Sequence, residues 1–399
     1  MIARSILAAC ALALALPALS TAALAQDAPI KIGVLTDEAG PFADSGGAGS
    51  ILATEMAVAD FGGTVAGRKI EVIHADTGNK PDVASAVARR WFDNEGVDMI
   101  VDLPVTPIAF AVQEVAKAKN KTVMITSSAT SDITAKNCTV GSTHWADDTA
   151  ALAIGTGSAV LAAGGKSWYF IAVDTAFGAA LTAATTKVVE AGGGKVAGVA
   201  KHPINLSDFA SFILQAQNSG AQIIGLPTVG QDFINAVKQA HEFGIGLTDK
   251  QRLVGFIVFI TDIHALGLET TQGLIVTSGF YWDQNDASRA FAKRFMEKRG
   301  KMPTKTQAGT YAAVTHYLKG VKEAGTNDTA AVGKAMRKIP VEHMGKKGVV
   351  REDGRVLYDL ALYQVKKPGE SKGPWDYYSK LRDIPAAEAF LPMNEACKL

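Results

Sequence analysis

Apolar and polar residues alternate along Ile30-Lys31-Ile32-Gly33-Val34-Leu35, which predicts a strand ended by Thr36-Asp37. Residues 48–60 place Ile51, Met56 and Val58 along a helix. Ile70, Val72 and the β-branched Ile73 mark a second strand from Lys69 to Ala75. Pro81, in a first turn, opens a helix running to about Glu95. Met99-Ile100-Val101 forms a third strand, 107–119 a helix and Thr122-Val123-Met124-Ile125 a fourth strand. After an irregular stretch at 127–147, strands at 168–173, 195–200, 222–226 and 253–259 alternate with helices at 176–191, 208–219 and 230–243. A strand at 273–277 leads to helices at 286–299, 307–324 and 329–338, and Arg355 to Lys366 is strand-like. Crossover helices between strands require parallel pairing, so the pattern predicts an α/β protein with two lobes of doubly wound, parallel sheet. No Pro/Ser-rich linker divides the two series, which predicts lobes joined by strand crossovers.

The N-terminus interrupts this rhythm. Met1-Ile2-Ala3-Arg4, an apolar run from Ile6 to Leu19 and Ala23-x-Ala25 read as an export signal cleaved after Ala25. Leu7-Ala8-Ala9-Cys10 looks like a lipoprotein box, but Ala3 to Ala9 leaves too short an apolar run for one. The 399 residues carry 40 Lys+Arg against 39 Asp+Glu. That balance argues against a nucleic-acid partner. An exported chain meets an oxidising compartment, where Cys138 and Cys397 either join in one bridge or remain separate buried thiols.

The chemistry is sparse. Ser45-Gly46-Gly47-Ala48-Gly49-Ser50 fits only part of a dinucleotide fingerprint, because Leu52 stands where the third glycine belongs. A loop whose N–H groups approach an anion suits it better. Phosphate-loop, zinc-protease and G-x-S-x-G motifs are missing, and the histidines lack metal spacing, so no catalytic group, cofactor or metal is expected. Ligands in open α/β sheets sit beyond the carboxyl ends of strands. The loops there are Asp102-Leu103-Pro104-Val105-Thr106-Pro107 and Thr126-Ser127-Ser128-Ala129-Thr130-Ser131-Asp132, the second dense in hydroxyls. Ser128 and Thr130 are expected to hold a carboxylate through neutral donors, and Ser131 or Asp132 to cap the next helix. Trp145, Phe177, Phe259, Tyr281 and Trp282 lie at strand ends, as in an apolar pocket with one polar end.

In order and spacing, Ile32-Gly33-Val34 with Gly40-Pro41-Phe42, Met56-Ala57-Val58, Thr126 to Thr130, Ala176-Phe177-Gly178, Asp208-Phe209 and Gly273-Leu274 carry a resemblance. The chain resembles the periplasmic solute-binding proteins of the branched-chain amino acid class, which serve ABC importers. The resemblance implies a type I fold with three crossovers and a ligand cleft between two lobes. It implies lobes at 26–146 with 279–346 and 147–278 with 347–399, and a monomeric periplasmic receptor docking on a membrane permease. Carried over by position, it implies carboxylate contacts at Thr106, Ser128, Ala129 and Thr130 and aromatic contacts at Phe177 and Trp145. On the second lobe it implies cleft positions near Val229, Phe259 and Asp262. Family tyrosines are absent near 229 and replaced by Phe177, and Asp262 is the one nearby acid, so a small organic or aromatic acid competes with an amino acid as ligand. A sensing ectodomain for a signalling partner and an exported hydrolase are the readings from other classes.

Overall fold

The computed structural model describes residues 28–246 and 250–399, so the expected leader lies outside the described residues. The first series runs β1 (Ile30–Thr36), α1 (Gly47–Phe61), β2 (Thr64–Val65), β3 (Arg68–Asp76), α2 (Pro81–Asp93), β4 (Met99–Asp102), α3 (Thr106–Lys119), β5 (Thr122–Ile125) and β6 (Ser142–His144). These strands form one sheet in the order β2-β3-β1-β4-β5-β6, parallel except for β2. Strand alternation decides what covers each face. Ile30, Ile32 and Val34 pack with Tyr317 and Leu318 of a later helix, whereas Leu35, Ile100 and Val123 pack with Trp91, Ile108 and Val112. Gly33 is required there, because a Cβ would stand 2.4 Å from the Trp91 ring.

The second series begins with α4 (Thr149–Leu152), a π-turn at Ala153–Gly157 and α5 (Ser158–Ala162). It continues with β7 (Ser167–Val173), α6 (Ala176–Ala191), β8 (Lys195–His202), α7 (Ala210–Asn218), β9 (Ile223–Leu226), α8 (Gln231–Glu242), β10 (Arg252–Gly255), α9 (Ile260–Leu266), α10 (Leu268–Thr271) and β11 (Ile275–Ser278). Its parallel sheet has the order β10-β9-β7-β8. The strand expected at 253–259 stops at Gly255, and Phe259 begins a helix instead.

The remainder is α11 (Asp286–Arg299), α12 (Lys305–Ala324), α13 (Thr329–Lys338), β12 (Val341–His343), β13 (Lys346–Val350), β14 (Val356–Tyr358), β15 (Leu360–Val365), β16 (Tyr378–Ile384) and α14 (Ala386–Ala389). The strand-like tail is therefore two strands. β14 pairs with β13 beside the first lobe, and β15 pairs with β11 in the second. The break falls at Asp359, and the boundary expected between residues 346 and 347 falls inside β13. The chain thus passes between lobes after β6, after β11 and at Asp359. Beyond β16 it returns, with Phe390 buried in the first lobe's core and Cys397 bonded to Cys138. The pairing that the sequence left open is a disulfide, with Cα atoms 5.6 Å apart. Among the described residues no helix is long and apolar enough to cross a membrane.

Candidate functional site

The carboxyl ends of β4 and β5 are shaped by a tight turn. Asp102 and Leu103 adopt φ 89° and 66°, left-handed conformations that cost about 1–3 kcal/mol each in residues with a side chain. The turn is held because its carbonyls collect the next loop. Asp102 O accepts the N–H groups of Thr126 and Ser127, and Leu103 O accepts that of Ser128 at 3.0 Å. Ser128 Oγ donates to the same Leu103 carbonyl at 2.8 Å. Burial pushes the Asp102 carboxyl up to about 6. Nearby, the Asp37 carboxylate accepts from the N–H groups of Gly40 and Phe42 and from Asn79 Nδ2, fixing Phe42 and Asn79 at the rim.

On the other lobe, Thr175 caps α6 by accepting the Gly178 N–H, which sets Phe177 in the first turn. Gly230, at φ 65°, opens α8 and presents Asp232 in its first turn. A Cβ on Gly230 would lie 2.7 Å from the Pro41 carbonyl, so the two lobes touch here.

Between these loops lies a cavity of about 170 Å³. The first lobe lines it with residues that include Phe42, Asn79, Thr106, Ser128 and Ala129; the second contributes Phe177, Thr228, Val229, Asp232 and Phe259. Six of the nine expected site residues meet there: Thr106, Ser128, Ala129, Phe177, Val229 and Phe259.

The other three do not line it. Thr130 turns its hydroxyl back to accept the Asp132 N–H, capping the short 3-10 turn Ser131–Thr134. Trp145 is core: its Nε1 donates to Thr143 Oγ1 at 2.9 Å and its ring meets His316 edge-on. It borders only a small compartment behind Phe259 that also contains Lys305, Asp147 and Tyr358. Asp262 is a helix cap, its Oδ2 accepting the Phe259 N–H at 2.8 Å. The glycine cluster is no anion loop either. Gly46 and Gly47 N–H groups donate to Phe42 O and Thr36 Oγ1, and Gly49 gives Gln307 room to approach.

The acid that does line the cavity is Asp232, three residues beyond Val229 and outside every motif that the sequence singles out. Its Oδ2 accepts the Asn205 N–H at 3.0 Å, while Oδ1 has no partner. Burial raises its pKa, against the pull of that hydrogen bond. Three other lining residues carry a buried polar atom without a partner: Thr106 Oγ1, Asn79 Oδ1 and Thr228 Oγ1. Buried polar atoms are nearly always paired. Four of the unpartnered ones belong to residues lining this cavity, two from each lobe, where the polar groups of a ligand can reach them. Thr106 also opens α3, whose first-turn N–H groups favour an anion. No group of His, Cys, Asp and Glu among the described residues is arranged to hold a metal ion.

Comparison with known proteins fits this geometry. Residues 29–373 match the family model described as periplasmic binding protein. A solved periplasmic binding protein from Burkholderia mallei is 46% identical, with a TM-score of 0.88 over 91% of this chain and 96% of that one. A branched chain amino acid ABC transporter periplasmic ligand-binding protein from Burkholderia xenovorans is 38% identical, with a TM-score of 0.82 over 91% and 97%. A Brucella suis protein named Leu/Ile/Val-binding protein homolog 6 is 29% identical, over 92% of this chain and 95% of its own.

Proposed function

The chain belongs to the periplasmic binding protein family, and from that premise we propose that it is the solute-binding component of an ABC importer whose ligand is a small apolar amino acid. The observation that carries this reading is the set of four unpartnered polar atoms, two on each lobe, around one cavity. The ligand carboxylate sits at Thr106 and the α3 N-terminus, with Ser128 and Ala129 forming the adjoining wall. Its ammonium meets Asp232 Oδ1. Its side chain lies among Phe177, Val229 and Phe259. Closure removes water from these contacts and strengthens them, and the closed form docks on a membrane permease. The names of the Burkholderia xenovorans and Brucella suis relatives support an amino acid.

We place the lobes at 28–146 with 279–358 and at 147–278 with 359–384, following the sheets, with the segment beyond β16 running back to the first lobe. The receptor works as a monomer in the periplasm after cleavage near Ala25. A second reading, an aromatic acid, is favoured by the phenylalanine rings at 42, 177 and 259.

Calorimetry with L-leucine, L-valine and 4-hydroxybenzoate, on the wild type and Asp232→Asn, decides between them. For an amino acid the variant weakens binding about tenfold to a hundredfold, the size of a hydrogen bond to a charged group. Unchanged leucine affinity would remove the ammonium from Asp232. Binding of 4-hydroxybenzoate alone, untouched by the variant, would make the aromatic reading the correct one. Conversion of any of the three would end the receptor reading.

A further inference from the structure

The ligand loop is wired to the crossovers through one buried imidazole. His144 ends β6 with no exposed surface. Its Nδ1 lies 2.9 Å from Arg355 Nη1, and its Nε2 lies 2.8 Å from the carbonyl of Ser128, a cavity-lining residue. A guanidinium only donates. Nδ1 is therefore the acceptor, and Nε2–H donates to the ligand loop. Burial, then the charge of Arg355, holds the ring well below the usual histidine range, so it stays neutral in this role.

Arg355 is itself 1% exposed. It donates to the Ala146 carbonyl at 2.5 Å and lies 3.5 Å from Asp148, both on the first crossover. Between those two residues stands Asp147. Its carboxylate accepts the Gly279 N–H at 3.1 Å, on the second crossover, and lies 3.1 Å from the Tyr358 hydroxyl, beside the third. Two groups of buried side chains, joined through the backbone of residues 146–148, thus reach all three connections, and the His144–Arg355 group ends on the ligand loop. A separate backbone link, Thr149 N–H to Ala129 O, joins the same loop to the first crossover.

We infer that His144 is a positioning residue that couples the ligand loop to the hinge, so that engaging Ser128 and its neighbours favours the closed arrangement. The inference rests on the receptor reading above. It gives His144 a role that apolar packing cannot fill, because the site needs one donor and one acceptor on opposite ends of a side chain.

The test compares His144→Leu with His144→Gln, whose amide retains one donor and one acceptor. Each is titrated with L-leucine and 4-hydroxybenzoate by calorimetry and examined by solution scattering with and without whichever acid binds the wild type. The expected result is binding at least tenfold weaker and loss of ligand-induced compaction in His144→Leu, with both largely retained in His144→Gln. Wild-type affinity and compaction in His144→Leu would overturn the inference. So would equal losses in both variants, which would assign the effect to ring volume. Should His144→Leu fail to fold, Arg355→Lys takes its place, and the same loss of compaction is expected because the fork to Nδ1 and Ala146 is gone; full compaction there overturns it. A wild type that binds an acid without compacting defeats this inference and the closure step of the proposed function but leaves the ligand site standing, whereas a wild type that binds neither acid defeats the receptor reading and the inference with it.

Discussion

Asp232 and Asp262 each stand in the first turn of a helix in the second lobe, and both are buried. What fills their oxygens separates them. Asp262 gives Oδ2 to the Phe259 N–H and is a cap; Asp232 keeps Oδ1 free at the cavity. Burial pushes Asp262 up to about 7, above the effect of that hydrogen bond. An unfolded aspartate titrates near about 4. The folded protein therefore holds the proton more tightly, and the stability this contributes is present below about 4 and is lost as pH rises through about 7. Asp262→Asn keeps the accepting carbonyl without a charge to bury. Its Tm relative to wild type should climb as pH rises from about 4 to about 7. A constant difference in Tm across that range would show that Asp262 does not titrate there. Thr130 illustrates the same lesson in a neutral group: a buried hydroxyl in the right loop is still a cap when it faces its own backbone.

At the scale of elements, most helices and strands follow from local pattern, because a period of 2 or 3.6 is written in neighbouring residues. The helices at 176–191, 286–299 and 329–338 form over those spans. Two apolar runs mislead. Residues 253–259 read as one strand, yet the Asp262 carboxylate captures the Phe259 N–H and starts a helix. Arg355 to Lys366 reads as one strand, yet Asp359 divides it between two sheets. An unbroken apolar run does not say which partner each half will meet. The jaw loop before α8 gives a test at this scale. Gly230→Ala adds a Cβ at 2.7 Å from the Pro41 carbonyl and in a left-handed backbone. The lobes must then stay apart. Scattering should show a larger radius of gyration with ligand than in the wild type, and calorimetry a weaker affinity. Wild-type values for both would place the closing contact elsewhere.

Over the whole molecule, the tail after β16 acts as a strap from the second lobe to the first. Leu391, Met393 and Leu399 are exposed, so beyond Phe390 the disulfide is its main anchor. Cys138→Ser with Cys397→Ser should lower unfolding stability by roughly 2–4 kcal/mol, the usual worth of such a bridge, read as a lower urea midpoint. An unchanged midpoint would mean that the tail's packing suffices without the bond. Two βα series of similar length, and hence two lobes of parallel sheet, were legible in the residues alone. So were the loops that carry the cavity, because they follow strand ends. Which side chains in those loops face inward was decided by tertiary structure. Loops have no period, so Thr106 and Thr130 look alike in sequence while one lines the cavity and the other caps a turn. The pairing of Cys138 with Cys397, 259 residues apart, and the meeting of His144 with Arg355 are likewise products of packing. Local pattern reaches only a few residues along the chain, and distance between remote residues exists only once the chain has folded.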